Sequence, residues 1–231
     1  MKEKEEYKTL EQIWKSIRLI LKSHPWHGIE IGKRSPAIVN SYIEIVPTDT
    51  VKYEIDKASG YLKVDRPQKY SNICPTPYGF VPQTYCGDSV AEFCMEKSGR
   101  TGIVGDGDPL DICVLTEKAI SHSDIFLVAC PIGGLRMIDG GEADDKIIAV
   151  MHQDDLFGYW DEIDHCPKSL INRLKHYFLT YKEEPGREGT RNVEITDVYG
   201  RDEAYEIIER SHQDYLKKYG DMDNLLKNRF K

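Results

Sequence analysis

The sequence predicts a mainly β protein of the α+β class, built as a small barrel flanked by helices. Short runs rich in β-branched and alternating apolar residues follow one another between residues 39 and 150, as in small all-β barrels. Apolar residues at helical spacing occupy the C-terminal third and the N-terminus. With 231 residues and 40% hydrophobic content, the chain can bury one sizeable core.

The N-terminal segment has the pattern of an amphipathic helix. Its apolar residues recur at helical spacing among Lys and Glu: Leu10, Ile13, Trp14, Ile17, Ile20 and Leu21. The pattern ends at His24-Pro25-Trp26 because a residue that precedes proline disfavours the helical conformation. We therefore expect a helical extension over residues 1–25 and a single domain over residues 26–231.

The predicted strands begin with a hairpin. Val51, Tyr53 and Ile55 alternate with charged residues, and Ser59-Gly60 supplies the turn into a strand at 61–66. A loop-like stretch rich in Pro, Gly and Cys follows at 67–105. Further short strands are then expected at 112–115, 125–130, 135–138 and 147–150.

Two helices are predicted in the C-terminal third. The first apolar stripe consists of Leu170, Leu174, Tyr177, Phe178 and Tyr181. The second consists of Ala204, Ile207, Ile208, Ser211 and Tyr215. Asp202 is the expected N-cap of the second helix and Gly220 its expected stop, and the polar segment 183–192 is expected to be a loop.

Composition limits the partners and the compartment. The chain carries 31 Lys+Arg against 39 Asp+Glu, a formal net charge of -8, which argues against nucleic acid or an anionic membrane as a partner. Its apolar runs are shorter than the ~20 residues of a membrane span, and its charged start is unlike a signal peptide. A cytoplasmic location is expected.

The six cysteines include no Cys-x-x-Cys pair and are expected to be reduced and structural rather than zinc ligands or disulfides.

The densest chemical signal is the acidic segment Asp106-Gly107-Asp108-Pro109-Leu110-Asp111, which precedes a predicted strand. Crowded carboxylates repel one another unless they share a divalent cation, although the spacing alone fits a solvated acidic turn equally well. An EF-hand loop is excluded. Asp111 stands where that loop requires glycine, and the loop interior would be the apolar strand 112–115.

A second acidic turn carries Asp139 and Asp144, with Lys146 two residues on and Gly140-Gly141 at its tip. By itself this pattern is typical of an ordinary hairpin. Two acidic turns at the ends of neighbouring barrel strands can nonetheless converge, and a site with several shared carboxylates would suit two or more Mg²⁺ ions. Side chains of the kinds that bind phosphate accompany them: Lys52, Arg66, Tyr78, Tyr181 and Lys182.

Seven segments together resemble the family I soluble inorganic pyrophosphatases, in the family's order over residues 40–182. They are Glu44 within 43–47, Lys52-Tyr53-Glu54-Ile55-Asp56-Lys57, Val64-Asp65-Arg66, Tyr78-Gly79-Phe80, the acidic segment 106–111, Asp139 with Asp144 and Lys146, and Tyr181-Lys182. The resemblance implies a five-stranded, OB-like closed barrel flanked by two C-terminal helices, with the site in the barrel mouth. It also implies hydrolysis of pyrophosphate to two orthophosphates.

The resemblance further implies roles for single residues. Asp106, Asp111 and Asp144 would share the principal Mg²⁺ and Asp111 would bridge to a second ion, while Asp139 and Glu54 would help to hold ions that arrive with substrate. Other divalent ions are compatible with these ligands. Asp108 would be the general base on a water that the metals acidify, and Glu44 would support the site. The two phosphoryl groups would be held by Lys52, Arg66, Lys146, Tyr78, Tyr181 and Lys182.

The chain departs from the family pattern in three ways. Cys74 and Pro77 stand where bacterial members have a tyrosine and an asparagine, so a phenol is lost unless Tyr70 replaces it. The segment between Tyr78 and Asp106 is longer than in compact bacterial enzymes. Bacterial relatives are usually hexamers and fungal or animal ones dimers, so we expect a homo-oligomer, either a dimer or a hexamer.

Two other functions fit single features of the sequence. A nucleotide-sugar glycosyltransferase uses an Asp-x-Asp motif such as Asp106-Gly107-Asp108, but it needs a parallel sheet with crossover helices, which short successive strands do not predict. An OB-type module that binds single-stranded nucleic acid fits a barrel, but the net negative charge and the clustered aspartates argue against it.

Overall fold

The computed structural model describes residues 22–182 and 192–220. The strands in these ranges are β1 (Val39–Ile45), β2 (Val51–Ile55), β3 (Leu62–Pro67), β4 (Tyr78–Phe80), β5 (Val104–Gly105), β6 (Asp111–Leu115), β7 (Ile125–Asp139), β8 (Glu142–Ala143), β9 (Lys146–Met151) and β10 (Val193–Gly200). The helices are α1 (Asp88–Ser98), α2 (Lys168–Thr180) and α3 (Arg201–Tyr219), with a 3₁₀ turn at Ile163–His165. The predicted N-terminal helix falls almost wholly on residues 1–21, outside the described residues, and so does most of the predicted loop 183–192.

Five strands pair in a ring. In order around the ring, β1 pairs with β4, β4 with β6, β6 with β9, β9 with β7, and β7 with β1. The β6–β9 pair is parallel and the other four are antiparallel. Outside the ring, β10 pairs with β7, while β2 and β3 form a separate hairpin. The predicted mainly β, α+β class with five ring strands is confirmed, whereas an OB-like closed barrel stays a prediction.

The ring strands are buried on both faces. On β6, Ile112 and Val114 pack into a cluster with apolar residues of α1 and α3, whereas Cys113 and Leu115 pack into a second cluster with α2. Each fully buried aliphatic side chain of this kind contributes roughly 1.5–3 kcal/mol. Burial on both sides explains why this strand is a continuous apolar run and not an alternating one.

The long strand β7 corrects one prediction. The sequence predicted two strands, at 125–130 and 135–138, but Ile125–Asp139 is one continuous strand. Its pairing with β9 shifts register between Pro131 and Gly133, and Gly133 has a φ of +159°. Proline and glycine therefore accommodate a bulge inside the strand rather than end it.

The stretch 67–105 was predicted as a loop, and this was wrong because it contains β4 and α1. Helix α1 turns Val90, Phe93 and Cys94 into the core. Its N-terminus has no side-chain cap of its own. Instead, Asp214 of α3 accepts hydrogen bonds from the backbone N–H groups of Gly87, Ser89 and Val90, at 3.2, 3.0 and 3.2 Å.

Replacing Asp214 with Ala is expected to lower the free energy of unfolding by about 1–3 kcal/mol, because three buried or half-buried N–H groups lose a charged acceptor. The midpoint of urea unfolding measures this loss. Asp88→Ala is the matched control, since the Asp88 side chain lies in the same helix but is 89% exposed. Equal midpoints for the two variants would contradict the capping role.

Helix α3 follows the predicted stripe with one correction. Ala204, Ile207, Ile208, Ser211 and Tyr215 are all buried, and Gly220 ends the helix with a φ of +73°, as predicted. Asp202 was wrongly predicted as the N-cap: Gly200 takes that position, and Asp202 lies in the first turn, where a negative charge is favourable near the helix dipole.

No helix of the described part of the chain is long and apolar enough to cross a membrane.

Candidate active site

A pocket of about 260 Å³ opens on one side of the strand ring, between the β2–β3 hairpin and α2. Carboxylates, lysines and tyrosines from distant parts of the chain line it: Glu44, Lys52, Glu54, Lys57, Tyr78, Asp106, Asp108, Asp111, Asp139, Glu142, Asp144, Lys146, Tyr177, Tyr181 and Lys182. Every site residue that the sequence predicted lies in this lining except Arg66. The two acidic turns, which are far apart in the sequence, therefore face the same space.

The centre of the pocket is a cluster around Lys146. The parallel pairing of β6 with β9 sets Asp111 opposite Lys146, and the Lys146 ammonium contacts the carboxylates of Asp111 and Asp144. The Tyr78 hydroxyl donates a 2.6 Å hydrogen bond to Asp111 Oδ2. Burial alone lowers the pKa of Lys146, but the charges of Asp111 and Asp144 outweigh it and hold the pKa well above its ordinary value. Lys146 is therefore a fixed cation.

Asp106 adds a carboxyl group to this cluster. Gly107 has a φ of +76°, a conformation that favours glycine, and the turn lets the Asp108 N–H donate to Asp106 Oδ1 at 2.9 Å. Burial, followed by the charges of Asp144 and Asp111, raises the pKa of Asp106 to about 8. Burial also raises the pKa of Asp144, against the opposing effect of Lys146. Negative charge is thus costly here unless further positive charge is supplied.

The β2–β3 hairpin forms one wall of the pocket. Lys52 on β2 donates to Glu54 and to Asp65, each at 3.1 Å. Glu44 on β1 is buried, and its Oε1 accepts the Ile55 N–H at 2.7 Å, which ties the end of β2 to the ring. Burial raises the pKa of Glu44 to about 8. Glu44 and Glu54 therefore both lie in the lining of the pocket, at the junction of β1 with the hairpin.

Two lysine–carboxylate pairs lie at the rim. Lys57 contacts Asp108, and Lys182 contacts Asp139. Burial lowers the pKa of Lys182, but Tyr181 and the hydrogen bond to Asp139 raise it by more, so that the net shift is upward. The Asp108 side chain is 48% exposed, so water can reach its carboxylate.

Arg66 lies beside the pocket rather than in its lining. Its Nη1 donates to Asp65 at 2.6 Å, and its guanidinium carbon lies 5.7 Å from the centre of the Tyr181 ring, within the range of a cation–π contact. Lys57 and Glu142 line the pocket but were assigned no role from the sequence. Lys57 belongs to the matched segment 52–57, which was the signal that pointed to it.

Cys74, which stands at the position of the missing phenol, and Tyr70, its expected substitute, both lie outside the lining of the pocket. Cys74 is fully buried, and its thiol donates to the Thr76 carbonyl at 3.3 Å. Tyr70 is 68% exposed and is not among the residues that line the pocket in the described ranges. Another tyrosine, Tyr177, does line the pocket, and its ring stacks on that of Tyr181 with 5.2 Å between ring centres.

The donors of the pocket suit hard divalent cations. Carboxylate oxygens are the ligands that Mg²⁺ prefers, and the raised pKa of Asp106 marks a place where a cation would relieve repulsion. Over residues 22–182 and 192–220, no three acidic, His or Cys side chains already form a compact metal cluster, since lysines lie between the carboxylates. Asp111 and Asp144 contact the Lys146 ammonium, and Asp106 interacts electrostatically with both carboxylates.

Fixed cations and carboxylates gathered at one side of a mainly β ring are what a hydrolase of small phosphate compounds needs. The comparisons with known proteins agree. A family model described as "Inorganic pyrophosphatase" matches residues 41–216. The inorganic pyrophosphatase of Chlamydia caviae is 52% identical over 201 residues, covering 85% of this chain and 92% of that protein. Soluble inorganic pyrophosphatase 4 of Arabidopsis thaliana is 35% identical over 197 residues, covering 84% and 81%.

Solved structures give the same result for the fold. The inorganic pyrophosphatase of Thermus thermophilus superposes with a TM-score of 0.69 at 26% identity, covering 84% of this chain and 98% of that one. The chain belongs to the inorganic pyrophosphatase family, and the family resemblance of its motifs is confirmed. It is a hydrolase by this membership.

Proposed function

We propose that the chain hydrolyses inorganic pyrophosphate to two orthophosphates in a site that holds several Mg²⁺ ions. One observation carries the proposal: carboxylates from two separate acidic turns and four lysines from distant parts of the chain face the same pocket. Bound Mg²⁺ would supply Lewis acidity, lower the pKa of the attacking water and neutralise phosphate charge. Asp106, Asp111 and Asp144 would share the principal ion, and Asp111 would also help to hold a second.

The chain's own residues divide the remaining work. Asp139 and Glu54 would help to hold ions that enter with substrate. Asp108, at the solvent-exposed rim, would take the proton of the attacking water. Six donors would bind the two phosphoryl groups and stabilise charge on the leaving phosphate: Lys52, Arg66, Lys146, Tyr78, Tyr181 and Lys182.

The charge states of three lysines in the pocket support their proposed role in binding phosphate. Burial lowers the pKa values of all three lysines, but neighbouring carboxylates raise those of Lys146 and Lys52, and Tyr181 followed by Asp139 raises that of Lys182, so that each net shift is upward. They therefore remain charged at neutral pH and can bind the oxygens of a multiply charged anion. We further propose a homo-oligomer in the cytoplasm, with residues 26–231 as one domain.

Pyrophosphate hydrolysis in the presence and absence of a chelator tests the proposal. Phosphate should be released rapidly when Mg²⁺ is present, should fall to the blank when the ion is chelated, and should recover when excess Mg²⁺ is added. A phosphate monoester is the matched substrate control. Its hydrolysis should be far slower, because it offers one phosphoryl group to a pocket with donors for two. Release that persists under chelation, or equal rates on both substrates, would contradict the proposal.

A further inference from the structure

A buried ionic cluster lies behind the pocket and is centred on Arg136 of β7. The Arg136 side chain is 1% exposed; its Nη1 is 2.8 Å from Glu203 Oε1, and its Nη2 is 3.7 Å from Asp145 Oδ2. The guanidinium carbon is 5.3 Å from the centre of the Phe93 ring and 5.0 Å from that of the Tyr199 ring. The cluster thus joins β7 to α1, α3 and β10.

Asp145 links this cluster to the pocket. It stands between Asp144 and Lys146, which both line the pocket, but is itself absent from the lining and only 3% exposed. Asp145 Oδ1 accepts the Met137 N–H at 3.3 Å, while the Asp144 N–H donates to the Met137 carbonyl at 3.0 Å. One face of this short segment is therefore anchored in the interior and the other face supplies site residues.

The cluster is an expensive way to stabilise a fold. Buried ion pairs cost desolvation energy, and replacing them with apolar residues of similar volume is often neutral or stabilising. Within the described structure, Arg136 Nε and Nη2 have no hydrogen-bond partner, so the desolvation of the guanidinium is only partly offset. The 3.7 Å ion pair with Arg136 instead favours the orientation in which the Asp145 carboxylate faces the interior, beside its hydrogen bond to the Met137 N–H.

We propose that Arg136 is a positioning residue that acts through Asp145 to fix the placement of Asp144 and Lys146 and thereby sets the affinity of the site for Mg²⁺. This inference rests on the proposed function, since it assigns a control to the same site. When a residue that orients a metal ligand, but does not itself bind the metal, is replaced, metal affinity typically falls roughly 10- to 100-fold. Arg136 does not contact Asp144 or Lys146 itself but pairs with Asp145, which stands between them in the chain.

The test uses the full chain and the variant Arg136→Met, which keeps side-chain length and removes the charge. Isothermal titration with Mg²⁺ alone, without substrate, is expected to show a dissociation constant raised roughly 10- to 100-fold. The kcat at saturating Mg²⁺ should change far less, on the order of twofold, because the reacting groups are restored once the ions are bound. Arg100→Met is the matched control: Arg100 also pairs with a carboxylate, Glu194, at 2.7 Å, but it is exposed and should leave Mg²⁺ affinity unchanged.

A double-mutant cycle with Asp145→Asn separates positioning from general destabilisation. If Arg136 acts through Asp145, the effect of Arg136→Met on Mg²⁺ affinity should disappear in the Asp145→Asn background. The double variant removes the charges of both Arg136 and Asp145, so neither charge is left buried without the other. Glu203, the second partner of Arg136, still has Lys97 as a partner at 3.4 Å. If Arg136→Met alone does not fold, the double variant and Asp145→Asn carry the test: both should bind Mg²⁺ more weakly than the unaltered chain.

Unchanged Mg²⁺ affinity in Arg136→Met, or in Asp145→Asn where the former does not fold, would overturn the inference. An equal loss in the two backgrounds would also overturn it. An unaltered chain that binds no Mg²⁺ would instead contradict the proposed function, so the two failures are distinguishable.

Discussion

Replacing Asp108 with Asn is expected to slow pyrophosphate hydrolysis roughly 10²- to 10⁴-fold, the range that loss of a general base costs. The amide keeps the size of the side chain but cannot take a proton from water. Asp108 lies at the rim, 48% exposed and in contact with Lys57, whereas the crowded carboxyls of Asp106 and Asp144 lie deeper. The kcat at saturating Mg²⁺ and the Mg²⁺ dissociation constant, measured side by side, check the prediction, because only the first should change.

Asp88→Asn is the control for Asp108, since the Asp88 side chain is 89% exposed and does not line the pocket. Full activity of Asp108→Asn at neutral pH would show that the base is wrongly assigned. A loss of Mg²⁺ affinity as large as the loss of kcat would place Asp108 among the metal ligands instead. Both results would leave the family membership untouched.

Parts of the fold were predictable because burial leaves a periodic trace. The stripe of α3 and the hairpin β2–β3 were found from spacing alone. Helix α1 was missed although Val90, Phe93 and Cys94 have helical spacing, because the neighbouring Pro, Gly and Cys residues indicated a loop and its cap, Asp214, lies far along the chain. Tertiary contacts of this kind leave no local signal.

The pocket was predictable only where acidic residues cluster in sequence. Asp106, Asp108 and Asp111 attract attention by themselves, but their meeting with Asp144 depends on the parallel pairing of β6 with β9, which the residues alone did not predict. The family resemblance supplied that step. Arg136 was missed for a related reason: a single arginine in a predicted strand is more often a surface charge, and only its burial against Asp145 distinguishes it.

Replacing Asp111 with Ala should act on the metal rather than on the proton transfer. Asp111 is the carboxylate at the centre of the pocket, where it accepts the Tyr78 hydroxyl and contacts the Lys146 ammonium. Loss of an outer-shell partner already weakens metal binding roughly 10- to 100-fold. Loss of Asp111, which we propose as a ligand of two ions, should therefore raise the Mg²⁺ dissociation constant by at least about 100-fold. Isothermal titration with Mg²⁺ measures this directly.

Two companion variants make the Asp111 result specific. Asp111→Asn keeps an acceptor for Tyr78 and should spare part of the roughly 1–3 kcal/mol that an unpaired buried hydroxyl costs, yet it should bind Mg²⁺ nearly as weakly as the alanine variant. Glu142→Gln removes one negative charge from the same lining at a position with no assigned ligand role, and should bind Mg²⁺ normally. If Glu142→Gln weakened binding as much as Asp111→Ala, the pocket would attract cations by its total charge and not by a defined set of ligands. If Asp111→Ala bound Mg²⁺ normally, Asp111 would be an anchor for Tyr78 and Lys146, and the shared ion would have to rest on Asp106 and Asp144.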